Sequence, residues 1–264
     1  MDKLNSLTVT SAVSTGRSYP PPKQSANSLF HFIKKLEYLL TAIENDALVP
    51  RYCVELVEYL DIGLTSIAYP MLCFCDINLH KLDEHIDFYG GYGIAFSKEW
   101  GIHQGIQPIQ YLNQSSHLHN DFSEAFKMAI SSPGNDEAQN FLLSQMYFFK
   151  PIEGEMPREE EIISKNFTDE CEWRFIPSVE PEGLPAVLID SEIVRKDTLN
   201  NALTYASNTW LWFLAEDIKY LILKNRDDFD KVTSLILRKD GLSSDSRHRL
   251  ISKIIIWDES RGDF

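Results

Sequence analysis

Apolar residues recur along this chain in short runs whose spacing switches between the period of a strand and that of a helix. Leu29 to Phe32 reads as a short strand, and Leu36, Leu39, Leu40 and Ile43 follow at helical spacing up to a close over Asp46 to Val49. Pro50 sets Arg51 in extended backbone, and Val54, Leu56, Val57, Tyr59 and Leu60 predict a second short helix. Ile67 to Cys75 is apolar across Pro70, which predicts a strand that lies at an edge or begins after the proline. Asn78 to Tyr89 carries Leu79, Leu82, His85 and Ile86 on one helical face and stops at Gly90-Gly91. Tyr92 to Ser97 and Ile106 to Leu112 then read as strands.

The second half is less regular. Within the polar stretch from Ser115 to Gly134 only Phe122 to Ile130 has a helical pattern, and Asn140 to Lys150 fits helix or strand. Pro151 to Lys165, with its run Glu159-Glu160-Glu161, is expected as a solvated loop. Cys171 to Pro177 and Ala186 to Ile189 read as strands around a turn at Pro181 to Pro185. Leu211, Leu214, Ile218 and Leu221 suit a helix, although Ile218 to Leu223 suits a strand equally. Phe229 to Leu237 is an amphipathic helix, and Leu250 to Trp257, with three consecutive isoleucines, predicts a buried strand. Helices gather early and late without βαβ alternation. The expected class is α+β, with a mixed, mostly antiparallel sheet and flanking helices. Residues 1–27, with three consecutive prolines, are expected to form a loose arm, and 28–264 a single α+β domain.

Composition narrows the function. Against 39 acidic residues stand 25 basic ones, a net charge of −14, which argues against general adhesion to nucleic acid or anionic membrane. It suits a basic partner. No apolar run reaches the roughly 20 residues of a bilayer span, and the polar start does not resemble a signal peptide, so a soluble cytoplasmic protein is expected. The cysteines, Cys53, Cys73, Cys75 and Cys171, lack zinc-site spacing and read as reduced thiols. His117 and His119, near Asp121, read as exposed loop histidines rather than metal ligands. Gly90-Gly91-Tyr92-Gly93 follows a helix and reads as a turn, not a phosphate loop.

Polar residues inside apolar runs are the candidates for chemistry: His31, Asp76, Ser97 and Lys98. Alternation places His31 on the strand face opposite Phe30 and Phe32, where it either bonds a ligand or serves as a satisfied structural group. Arg51 has the planar fork that suits a diphosphate, and is equally explained as a surface arginine. Glu170 and Glu172 share a strand face continued by Arg174. One carboxylate there suits ion pairing with Arg174, the other a developing sugar cation.

Several of these stretches together resemble the AbiGi family of bacterial abortive-infection proteins. They are Leu29-Phe30-His31-Phe32-Ile33, Pro50-Arg51-Tyr52, Pro70 to Ile77, Tyr92-Gly93-Ile94, Ser97-Lys98-Glu99-Trp100-Gly101 and Glu172-Trp173-Arg174-Phe175. That resemblance implies antiviral defence in a toxin–antitoxin pair, with a partner toxin from the same system. The His-Phe opening and the late strand glutamate are also similar, more distantly, to DarT-type ADP-ribosyltransferases, with Ile33 where their motif has threonine. This second similarity implies an ADP-ribosyltransferase-like fold, NAD as cofactor and a macromolecular ADP-ribose acceptor. In it His31 and Phe32 contact NAD, Arg51 steadies the cofactor or the transition state, and Glu172 is catalytic with Glu170 as substitute. The two resemblances imply different activities, transfer of ADP-ribose in one case and neutralisation of a toxin by contact in the other.

Overall fold

The computed structural model describes residues 22, 24–132, 134, 136–158 and 161–263. The predicted arm falls outside them except for Pro22 and 24–27. The chain runs through β1 (Ser28–Ile33), α1 (Leu36–Asn45), β2 (Ala47–Leu48), β3 (Arg51–Leu56), β4 (Ser66–Cys75) and α2 (Asp83–Tyr89). Next come β5 (Tyr92–Ser97), α3 (Lys98–His103), β6 (Gln107–Pro108), β7 (Gln110–Leu112), α4 (His117–Ser131) and α5 (Asp136–Tyr147). They are followed by β8 (Phe149–Pro151), β9 (Glu153–Arg158), β10 (Glu161–Asn166), β11 (Glu172–Phe175), β12 (Leu188–Ile189) and α6 (Lys196–Leu203). The chain closes with β13 (Leu211–Trp212), β14 (Ile218–Leu223), α7 (Phe229–Arg238), α8 (Ser244–Ile251), β15 (Ile254–Ile256) and α9 (Trp257–Ser260). The class is α+β with a mostly antiparallel sheet, as the pattern predicts. Among the described residues no helix is long and apolar enough to cross a membrane.

Contacts group the described residues into two compact units, Pro50–Leu72 with Gln107–Trp210, and 22–49 with Cys73–Ile106 and 211–263. In the second unit β5 lies between β1 and β14, antiparallel to both, with Phe30 opposite Ala95 and Leu221 opposite Ile94. β15 adds in parallel, and β1 meets the end of β4 at Phe30 and Cys75. Phe30, Cys75, Leu82, Ile86, Ala95, Ile222 and Trp257 form a core there, with Phe32 packed against it. Gly90 ends α2 at φ +136°, where an added Cβ would lie 2.5 Å from the Ile33 carbonyl oxygen. Only glycine fits that approach of two backbones.

The first unit pairs β3 with β4 from Arg51 opposite Met71 to Leu56 opposite Ser66. The helix predicted over Val54 to Leu60 is therefore a strand followed by a short 3-10 turn, Glu58–Leu60. Pairing with β4 overrides a spacing that also suited a helix. Pro70 lies inside β4 rather than at its start. It stands opposite Tyr52, whose N–H donates away from β4 to Asn200 Oδ1 at 2.7 Å. That pair is thus not a hydrogen-bonded one, and the missing proline N–H costs the β3–β4 ladder nothing.

Other boundaries differ from the pattern for similar reasons. The expected loop from Pro151 to Lys165 contains the antiparallel hairpin β9–β10, although Glu159 and Glu160 lie outside the described residues. The run Leu250 to Trp257 is divided among α8, β15 and α9, because Ser243 caps α8 and only Ile254–Ile256 reaches β14. Ile106 to Leu112 is broken into β6 and β7 around Ile109, and the helix predicted from Asn78 begins at Asp83 after a 3-10 turn. Asn140 to Lys150 is helix and then strand, and Ile218 to Leu223 takes the strand alternative.

Candidate functional site

Three of the polar residues that interrupt apolar runs have architectural work in the second unit. The Ser97 hydroxyl caps α3 by accepting the Trp100 N–H at 3.1 Å. Lys98, 7% exposed, donates to Asp76 at 2.6 Å and to Ser25 at 2.7 Å, so residues at the end of the predicted arm are tied to the unit. The Trp100 ring stacks on Phe96 at 4.1 Å, and a Cβ at Gly101 would lie 2.5 Å from Leu29 Cδ1. The Ser-Lys-Glu-Trp-Gly stretch is thus a cap, a buried ion pair and a packing contact.

His31 and Phe32 belong to the same unit. The face alternation holds: Phe30 and Phe32 stack at 6.1 Å, while His31 packs on Phe74 at 5.4 Å. His31 is half-buried there. Its Nδ1–H donates to the Cys73 carbonyl at 2.8 Å, and burial lowers its pKa despite that bond. That bond ties the ring to the neighbouring strand β4.

The other predicted site residues lie in the first unit. Arg51 is exposed at the start of β3, whereas Glu170 and Glu172 are 3% and 6% exposed. The 3-10 turn Phe167–Glu170 delivers Glu170, and Cys171 then takes left-handed backbone at φ 43°. That turn lets Glu170 and Glu172 converge on Lys150, at 2.6 and 3.0 Å, across from β8. On β11, Glu172 and Arg174 are two apart and share a face.

Arg174 is fully buried and grips Glu172 with both arms of its fork, Nε to Oε1 at 2.7 Å and Nη2 to Oε2 at 3.2 Å. Its Nη1 donates to the Tyr147 carbonyl at 2.7 Å and to the Tyr69 hydroxyl. Glu55 stands 3.3 Å from Nη2, and Lys165 completes the group 2.8 Å from Glu170. Among the described residues, three cations, Lys150, Lys165 and Arg174, thus balance three anions, Glu55, Glu170 and Glu172.

The electrostatics agree with that balance. Burial by itself would raise the Glu170 pKa, but Lys150 and Lys165 bring it below the usual carboxylate value. Burial would strip the protons from Lys150 and Arg174, yet the surrounding glutamates hold both well above their ordinary values. Burial, with Glu55 beside it, pushes the Cys53 thiol up to about 11, which leaves it an unreactive thiol at neutral pH.

Lys150 and Glu55 reach the wall of a pocket of about 260 Å³, which Val54, Leu56, Tyr59, Met156 and Phe167 also line. No spacing or motif in the sequence joins Lys150, Glu55, Lys165 and Tyr69 to this group. Lys150 follows the apolar stretch Tyr147-Phe148-Phe149, which was the one available hint of a buried lysine. His117 and His119 sit in the first turn of α4, not in a loop. His119 is bonded through Nε2 to the Tyr59 carbonyl at 2.6 Å. Among the described residues no group of three or more His, Cys, Asp or Glu is placed to hold a metal ion.

Comparison with known proteins defines the class as one of phage defence. Residues 46–224 match the family model described as "Putative abortive phage resistance protein AbiGi, antitoxin", a span that holds the whole buried charge group. The abortive phage resistance protein AbiGi of Lactococcus lactis subsp. cremoris is 34% identical over 248 residues, covering 83% of this chain and 100% of the relative. The chain belongs to the AbiGi family. No solved structure matches it.

Proposed function

We propose that this protein is the antitoxin of an abortive-infection system and that it neutralises a partner toxin by direct, non-catalytic binding. The buried charge group carries this reading. Stabilising a developing sugar cation calls for a carboxylate facing the substrate. Glu172 instead accepts Arg174 through both oxygens and Lys150 through one, at 6% exposure. Glu170 is held by Lys150 and Lys165. Both acids therefore act as internal counter-ions that set the fold of the first unit. The family model's antitoxin description and the net charge of −14 favour contact with a basic protein surface.

Co-expression with the toxin of the same system tests the proposal. Wild type is expected to restore growth and to co-purify with the toxin. A folded Glu172→Gln protein should do both equally well, and neither should transfer label from NAD to proteins or nucleic acid. Label transfer abolished by Glu172→Gln, with rescue lost in parallel, would establish ADP-ribosyl transfer instead.

A further inference from the structure

From the geometry of the first unit we infer that the pocket beside Lys150 and Glu55 seats a basic side chain, arginine foremost, of the partner toxin. The inference rests on the antitoxin reading and names the surface that carries it out. Two features define the occupant. The walls are apolar: Val54 and Leu56 project from β3 with 43% and 41% exposure, and Met156 and Phe167 line the pocket with them. Glu58, Glu153 and Glu155 add exposed carboxylates to the lining. Glu153 and Glu155, two apart on β9, share one face of the strand.

The buried cation does not reverse this polarity. Lys150 is matched inside the protein by Glu170 and Glu172 at 2.6 and 3.0 Å, and Glu55 faces Arg174 at 3.3 Å. The three rim glutamates are additional to that balanced group, so the pocket repels anions and attracts cations. A half-enclosed pocket with low-dielectric walls focuses such a field. At about 260 Å³ it falls below the roughly 300–1,000 Å³ of small-molecule sites and suits one inserted side chain. Arginine matches both features, with an aliphatic stem for Val54, Leu56 and Phe167 and a planar fork for the carboxylates.

Capture of the co-expressed toxin by tagged variants tests this. Glu58→Lys/Glu155→Lys reverses two exposed charges, Glu58→Gln/Glu155→Gln neutralises them, and Glu124→Lys reverses an exposed charge on α4. Like charges facing each other across an interface cost several kcal/mol, so reversal should weaken capture by about 100-fold or more and neutralisation by about 10-fold. Glu124→Lys should bind as wild type does, and added salt should weaken wild type more than the neutralised variant. Equal capture by wild type and the folded neutralised variant overturns this inference while leaving the antitoxin reading intact. Failure of wild type itself to capture the toxin overturns both.

Discussion

Replacing Glu172 by alanine removes the acceptor for three hydrogen bonds, from Arg174 Nε at 2.7 Å, Arg174 Nη2 at 3.2 Å and Lys150 Nζ at 3.0 Å. The group changes from three anions against three cations to two against three. The surplus charge sits on Arg174, which has no exposed surface. Glu55 at 3.3 Å and the Tyr147 carbonyl at 2.7 Å hold part of the guanidinium, but neither supplies a bidentate partner. Removing one member of a buried pair costs about 3–5 kcal/mol, because the other is left without compensation. At about 2–4 °C per kcal/mol, the first unit should melt roughly 6–20 °C lower. Urea unfolding followed by tryptophan fluorescence and by circular dichroism measures the loss. Removing both charges as Glu172→Leu/Arg174→Met should recover most of it, since apolar replacement of a whole buried pair is often neutral. A loss under about 1 kcal/mol in Glu172→Ala would refute the architectural role given to the group.

Three further outcomes follow from the same structure. Glu170 has a lowered pKa, so its stabilisation is complete above the usual value of about 4.3 and is lost as pH falls through the lower folded value. Lys150 has a raised pKa, so its share is complete below about 10.4 and is lost as pH rises through the folded value. In a His31→Phe background urea midpoints should therefore be level between those limits and drop outside them, and adding Lys150→Met should flatten both edges. His31 is held neutral by burial, so its contribution is complete above about 6.5 and falls as pH drops through the lowered value. His31→Phe should remove that dependence and cost about 0.5–1.5 kcal/mol at pH 7 by deleting the bond to the Cys73 carbonyl, read from unfolding at pH 5 and 7. Gly90→Ala forces a side chain into φ +136° against the Ile33 backbone and should cost about 1–3 kcal/mol or more, measured by thermal melting.

Local pattern made part of this fold legible. The alternation of Phe30, His31 and Phe32 told which face each takes, and the β-branched run of Ile254–Ile256 marked a strand. Where two periods fitted, tertiary pairing decided. Val54 to Leu60 satisfied a helix until β4 claimed Arg51–Leu56, and Leu250 to Trp257 was one apolar run that the fold divides among three elements. The Glu170, Glu172 and Arg174 constellation was visible because its members are neighbours. Its meaning was not, because the cations and the anion that neutralise it, Lys150, Lys165 and Glu55, approach from β8, β10 and β3. Only the folded chain shows that these acids face inward. The polar residues of the Ser97 to Gly101 stretch were similarly conspicuous in sequence, and their partners, Asp76 and Ser25, assign them to the framework.

Isothermal titration of the purified protein with the purified toxin, with no nucleotide present, tests the central claim most directly. Saturable binding at a fixed stoichiometry, undiminished in a folded Glu172→Gln variant, is the predicted result. Binding or neutralisation that appears only when NAD is supplied, and vanishes with Glu172→Gln, would contradict it.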